Sequence, residues 1–180
     1  MTVELEVLRR VSDGLKARGL QFMLTGSFAM AHYATPRMTR DIDLVVALSL
    51  EDVKSLVGEF SDDFYLDIDA ARAAAECRRM FNMMHQSSGI KIDMIARKDS
   101  EYRRLEFDRR RRVSLGSIDT WIVSREDLIL SKLVWASESR SEMQRRDVEQ
   151  LLRGDDIDRT YLREWALRLQ VLSVLDDLWH

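Results

Sequence analysis

Apolar residues recur at close to helical spacing at the start of the chain. Val3, Leu5, Val7, Leu8, Val11 and Leu15 line one side of a helix predicted over residues 2–18, with Gly19 as its stop. The period then shortens. Leu20–Thr25 reads as a short strand, and Gly26-Ser27 opens a helix over 27–34 that Pro36 ends. Asp41–Leu48, rich in β-branched and aliphatic residues, reads as a strand. Ser49 is expected to cap a helix reaching Phe60, with Glu51 and Asp52 in its first turn. Phe64–Ile68 follows as a strand and 69–79 as an alanine-rich helix. Phe81–Gln86 and Ile90–Ala96 flank Ser87-Ser88-Gly89 in the manner of a hairpin. Residues 99–110 read as helix, and 113–123 as one or two short strands.

From Ser124 the strand pattern ceases. Ser124-Arg-Glu-Asp127 before Leu128-Ile-Leu is a capping-box-like helix start, with Asp in place of the usual Glu. Helices are predicted over 125–137, 142–153 and 158–179, the last either whole or broken, with Gly154 ending the middle one. The pattern predicts an α/β (α+β) fold: a mixed β-sheet flanked by helices over 1–123, then a helical segment over 124–180.

Composition narrows the class. At 180 residues and 46% apolar, the chain can bury a sizeable core. A formal net charge of -3 carries no bulk field of a nucleic-acid or membrane binder. Cys77 is the sole cysteine, which excludes an internal disulfide and a cysteine-based zinc site. Met-Thr-Val-Glu-Leu-Glu at the start is acidic and lacks the apolar core of a signal peptide, and no run approaches the ~18 apolar residues of a membrane span. A soluble, cytoplasmic protein is the expectation.

The chemistry centres on Asp41 and Asp43. Their i, i+2 spacing on a strand points both carboxylates to one face and sends Ile42 to the other. Side-by-side carboxylates repel unless a positive group stands between them, and a hard divalent cation with oxygen ligands is the natural occupant. Asp93, between Ile92 and Met94 in a second predicted strand, supplies a third acid if the two strands are neighbours. Two acids bridging a pair of Mg²⁺ ions, with the third binding one ion and accepting a proton, suits phosphoryl transfer. Gly26 permits a tight turn, the helix it opens offers free N–H groups to a phosphate, and Ser27 adds a hydroxyl. Arg37, Thr39 and Arg40 lie in the loop before the acids, where they can contact phosphate oxygens or screen the carboxylates.

The order of a strand, Gly26-Ser27, a helix, Asp41-Ile-Asp43 on the next strand and Asp93 on a later one resembles the nucleotidyltransferase superfamily related to DNA polymerase beta. The run Gly-Ser, spacer, Arg37-x-Thr39-x-Asp41-Ile-Asp43 is similar to its small prokaryotic branch of minimal nucleotidyltransferases and abortive-infection toxins. Glu126-Asp127-Leu-Ile-Leu-Ser-Lys132-Leu, followed by Arg145-Arg146-Asp147-Val, resembles the C-terminal helices of that branch. The resemblance covers about residues 20–155. It implies a nucleotidyltransferase fold and a Mg²⁺-dependent enzyme, with two ions, that moves a nucleoside monophosphate from an NTP such as ATP to an acceptor hydroxyl. It implies that Gly26 and Ser27 bind the triphosphate, Asp41 and Asp43 hold Mg²⁺, Asp93 completes the site and Lys132 reaches the phosphates. It also implies a toxin–antitoxin setting with a cognate antitoxin as partner. Two departures leave the acceptor open between a protein, a tRNA end and a small molecule such as an aminoglycoside or lincosamide. Tyr33-Ala34 stands where minimal members often have Tyr-Gly, and Gly26-Ser27 stands where the toxins usually have Gly-Gly-Thr.

Two other classes compete. A non-catalytic nucleotide-binding protein on the same fold would tolerate loss of the acids, yet all three are present. A metal-dependent nuclease could use the same carboxylates but needs no triphosphate cradle. Arg109–Arg112 reads as a solvated turn or as a landing patch for RNA or an acidic partner. Cys77 and the methionines at 80, 83, 84 and 94 read as core filling, and the tryptophans at 121, 135, 165 and 179 as helix packing.

Overall fold

A computed structural model describes residues 2–35, 39 and 41–179. The chain divides into two units, Met1–Phe28 with Met38–Val123, and Ala29–Arg37 with Ser124–His180.

The first unit is built on a seven-stranded mixed sheet. Its strands are β1 (Phe22–Thr25), β2 (Asp41–Val46), β3 (Phe64–Leu66), β4 (Met80–His85), β5 (Lys91–Ala96), β6 (Arg111–Leu115) and β7 (Ile118–Ile122). They lie in the order β3-β4-β5-β2-β1-β7-β6. β2 pairs with β5, and β1 with β7, in parallel; the other neighbours are antiparallel. Two hairpins supply four of the strands, β4–β5 and β6–β7. The latter resolves 113–123, expected to hold one or two strands, into the end of β6 and the whole of β7.

Alternation along the strands makes the sheet two-faced. One face carries Phe22, Leu24, Ile42, Leu44, Val46, Phe81, Met83, Ile92 and Met94, all buried. Helices α1 (Val3–Ala17), α3 (Val53–Phe60) and α4 (Ile68–Cys77) pack on this side. Thr2 caps α1 by accepting from the Leu5 N–H, and Asp67 caps α4 by accepting from Asp69 and Ala70. Gly14 stands in the middle of α1, where glycine costs about 1 kcal/mol against alanine. The Phe60 ring explains it: a Cβ on Gly14 would stand 2.7 Å from that ring. Phe60 in turn meets Phe64 edge-on at 5.5 Å, so truncating it to alanine should cost about 3–5 kcal/mol.

The helix expected from Ser49 starts later. Asp52 holds the N-cap position of α3, and its carboxylate accepts from both the N–H and the hydroxyl of Ser49. Ser49 is therefore a donor to the turn rather than the cap, because the nearby carboxylate is the stronger acceptor. Other readings of single residues also change. Cys77 is exposed at the end of α4. Met83 and Met94 fill the core as expected, but Met80 and Met84 project from the opposite face of β4 and are about half exposed. α5 (Glu101–Asp108) precedes the arginine cluster, in which the Arg110 guanidinium lies over Phe107 and Trp121 while Arg111 and Arg112 are exposed on edge strand β6.

The second unit is helical. It holds the later part of α2 (Gly26–Tyr33), then α6 (Arg125–Ser139), α7 (Glu142–Leu152), α8 (Arg159–Arg168) and α9 (Leu172–Leu178). Ser124 caps α6 as its sequence predicts, accepting from the Asp127 N–H. The region 158–179 is broken into two helices at Gln170, which takes φ of 61°. A Cβ on Gly154 would lie 1.3 Å from an Arg125 guanidinium nitrogen, so a side chain there would displace that arginine. Among the described residues, no helix is long and apolar enough to cross a membrane.

Candidate active site

The parallel register of β2 and β5 decides the geometry. Asp43 lies opposite Asp93, and Asp41 opposite Lys91. On the far side of β2, Asp43 lies opposite Thr25, the last residue of β1. The three acids therefore share one sheet face on two adjacent strands, while Ile42, Leu44, Ile92 and Met94 anchor those strands from the buried face.

Gly26 follows Thr25 and begins α2 with φ of 63°. That left-handed backbone suits glycine. A second constraint is tighter. A Cβ at Gly26 would stand 1.9 Å from the Asp43 Oδ2, so the Asp43 carboxylate occupies the space that any side chain there would need. The turn and the acid are built against each other. Ser27, buried at 7% exposure, is the next residue of the helix.

Thr39 sits just before β2 and closes a local loop. Its hydroxyl accepts from the Asp41 N–H at 3.3 Å and lies 3.4 Å from the Asp41 carbonyl oxygen, to which it donates. This ties down the entry to the strand that carries both acids. Arg37 and Arg40, also expected here, lie outside the described residues.

Two residues join the acids that the sequence reading passed over. The Lys91 ammonium lies 3.1 Å from Asp93 Oδ2 and 3.5 Å from Asp41 Oδ2. Its hydrogen bond to Asp93, and the charges of Asp93 and Asp41, hold its pKa above the ordinary lysine range despite partial burial. The Asn82 amide on β4 donates to Asp93 Oδ1, and the β4–β5 register sets these two residues opposite each other. Asp93, only 8% exposed, is thus held from both oxygens. Lys91 carried a readable signal: it lies two positions before Asp93 in an alternating strand, so it shares Asp93's face. Asn82 carried none, since its neighbour is set by the pairing of β4 with β5.

The donor set suits a hard divalent cation: three carboxylates on one sheet face, beside a glycine whose missing side chain leaves room for the Asp43 carboxylate. In the conformation described, no three His, Cys, Asp or Glu side chains among the described residues converge closely enough to hold an ion unaided. Asp41 and Asp93 are instead turned to the Lys91 ammonium.

Lys132 belongs to the helical unit. It is 4% exposed on α6, and its ammonium donates to Asp147 Oδ2 at 2.7 Å and Gln144 Oε1 at 3.0 Å, both on α7. Asp127, also on α6, accepts from the Tyr161 hydroxyl at 2.6 Å.

A family described as nucleotidyl transferase AbiEii toxin, type IV toxin–antitoxin system, matches residues 8–173. No curated protein matches the chain. An antigenic nucleotidyltransferase-like protein from Paracoccidioides brasiliensis is similar in structure at 15% identity and a TM-score of 0.61, over 98% of this chain and 92% of that one. The antibiotic-resistance factor ANT(2″)-Ia is similar at 13% identity and a TM-score of 0.62, over 97% of this chain and 96% of its own. Lincosamide antibiotic adenylyltransferase LnuA, bound to lincomycin, is similar at 12% identity and 0.57, over 84% and 96%. At such identities these three likenesses speak for a nucleotidyltransferase fold.

Proposed function

Because the chain belongs to the AbiEii nucleotidyl transferase toxin family and is a nucleotidyltransferase, we propose that it moves a nucleoside monophosphate from an NTP to an acceptor hydroxyl at the acids of β2 and β5. The observation that carries this reading is the placing of Asp43 between two features, opposite Asp93 in register and against the side-chain-free Gly26 at the start of α2.

The residues divide the work. The α2 N-terminus, begun by the turn at Gly26 and with Ser27 adding a hydroxyl, binds the triphosphate. Asp41, Asp43 and Asp93 would hold Mg²⁺, which when bound neutralises charge on the triphosphate and on the attacking oxygen. Asp93 takes the proton of the acceptor hydroxyl as that oxygen bonds to the α-phosphorus. The α–β phosphoanhydride bond breaks and pyrophosphate leaves. Asn82 orients the Asp93 carboxylate for this step. Thr39 fixes the strand entry from which Asp41 projects. The roles of Arg37 and Arg40 at the phosphates rest on their place in the loop before the acids, and that of Lys132 on the resemblance of its sequence setting.

In this reading, residues 1–123 are the catalytic core and 124–180 a helical subdomain. The family description supports a toxin role with a cognate antitoxin as partner. The proposed reaction fits the cytoplasm, where triphosphates are abundant. The acceptor is a protein, a tRNA end or a small molecule. The test is incubation with each of the four α-³²P-labelled triphosphates, Mg²⁺ and fractionated cell extract. Label should move to one acceptor fraction with release of pyrophosphate, and Asp43→Asn should abolish it while keeping the melting temperature. Undiminished labelling by Asp43→Asn would refute the assignment.

A further inference from the structure

Lys91 occupies a position that the proposed reaction leaves unexplained. Its ammonium bridges carboxylates from two different strands, Asp41 on β2 and Asp93 on β5. Removing both acids from a cation's reach is costly for a metal site, because a divalent ion needs the same oxygens. Yet the register gives the lysine no other direction of comparable charge: the residue opposite it on β4 is Met84, and on β2 it is Asp41. The acid face therefore contains its own monovalent cation, delivered by the strand that bears Asp93.

We propose that Lys91 is the resting counter-ion of the acid site: its ammonium holds Asp41 and Asp93 apart from a divalent cation, yields to the metal when nucleotide arrives, and then pairs with the triphosphate. This inference rests on the function proposed above and adds a device to the same site. Three carboxylates on one face repel each other. One ammonium between two of them offsets that repulsion while the site is empty of substrate. An incoming NTP brings four negative charges, which give the displaced ammonium a new partner and let the acids turn to the metal. Metal and nucleotide would thus bind with positive coupling, each lowering the cost of moving Lys91 for the other.

The experiment follows Mn²⁺ binding by the loss of the free-ion EPR signal, on the whole chain, for the wild type, Lys91→Met, Lys91→Gln, Lys91→Arg and Asp43→Asn. Without nucleotide, Lys91→Met and Lys91→Gln should bind Mn²⁺ about five-fold more tightly than wild type, the size expected from losing a half-exposed ion pair. Lys91→Arg, which keeps the charge, should stay near wild type. With a non-hydrolysable triphosphate present, the wild type should gain affinity for Mn²⁺ while Lys91→Met gains less, and Lys91→Met should bind the nucleotide several-fold more weakly. Equal or weaker Mn²⁺ binding by both neutral variants would overturn the proposal and leave the metal reading standing, provided that the wild type binds Mn²⁺ and Asp43→Asn does not. Absence of binding in wild type and both neutral variants, with and without nucleotide, would overturn both. Melting curves with and without Mn²⁺ give a second readout: the metal should raise the melting temperature of Lys91→Met more than that of wild type.

Discussion

Replacing Gly26 by alanine separates two costs that coincide at one residue. The first is backbone strain: Gly26 has φ of 63°, a region that costs an L-residue about 1–2 kcal/mol. The second is collision, because the new Cβ would lie 1.9 Å from Asp43 Oδ2 and 2.7 Å from its carboxyl carbon. Gly19 supplies the control. It has nearly the same backbone, φ of 67°, but nothing stands within 4 Å of its Cβ position. Gly19→Ala should therefore show strain alone, about 1–2 kcal/mol. Gly26→Ala adds an overpacking cost of about 1–3 kcal/mol, for a total of about 2–5. For a chain of this size each kcal/mol lowers the melting temperature by about 2–4 °C, so the two variants should be separable by thermal melts. The collision also forces the Asp43 carboxylate out of line, and nucleotidyl transfer should fall at least about 100-fold while Gly19→Ala keeps full activity. Adding Asp43→Ala to Gly26→Ala should recover part of the stability, not all, because the Asp43 Cβ itself would still sit 3.0 Å from the new methyl. Equal melting temperatures for Gly26→Ala and Gly19→Ala, with transfer intact in both, would refute the claim that the turn and the acid are built against each other.

Three further expectations follow from the same structure. Asp147→Ala removes the carboxylate beside the 4%-exposed Lys132 ammonium and should cost about 3–5 kcal/mol, whereas Lys132→Met with Asp147→Leu should recover most of it in a denaturant titration. Asn82→Ala, which frees Asp93 Oδ1, should slow transfer about ten-fold with nucleotide affinity unchanged; a change in affinity alone would count against its orienting role. Glu59 has its pKa depressed by a hydrogen bond from Arg18 and then by Arg10. Its folded pKa lies below its unfolded one, so its contribution is present above the ordinary glutamate value, about 4.3, and fades as pH falls through the folded value. Melting temperatures of wild type and Glu59→Gln should differ near neutrality and converge on acidification.

Much of this molecule was legible in its residues. Hydrophobic period alone placed α1, β2, α4 and the β4–β5 hairpin to within a few residues, because each buries one face and needs the matching alternation. The pair Asp41 and Asp43, two apart on an apolar strand, had to share a face whatever else the chain did. The capping sequence at Ser124 likewise marked a helix start by local hydrogen bonding alone. Where a choice depended on a neighbour, the sequence was silent. The Ser49 turn went to Asp52 through competition between two acceptors, and Met80 and Met84 came to face outward because their strand shows its other side to the core. The same holds for the site. That Asp43 meets Asp93, that Lys91 stands between Asp41 and Asp93, and that Gly26 must lack a side chain all follow from strand order and register between residues up to 50 positions apart in the chain, as 43 and 93 are. Local sequence sets which face a residue takes, since backbone geometry imposes the period. Which residues meet across strands is set by the burial of whole faces together, and only the tertiary structure decides that.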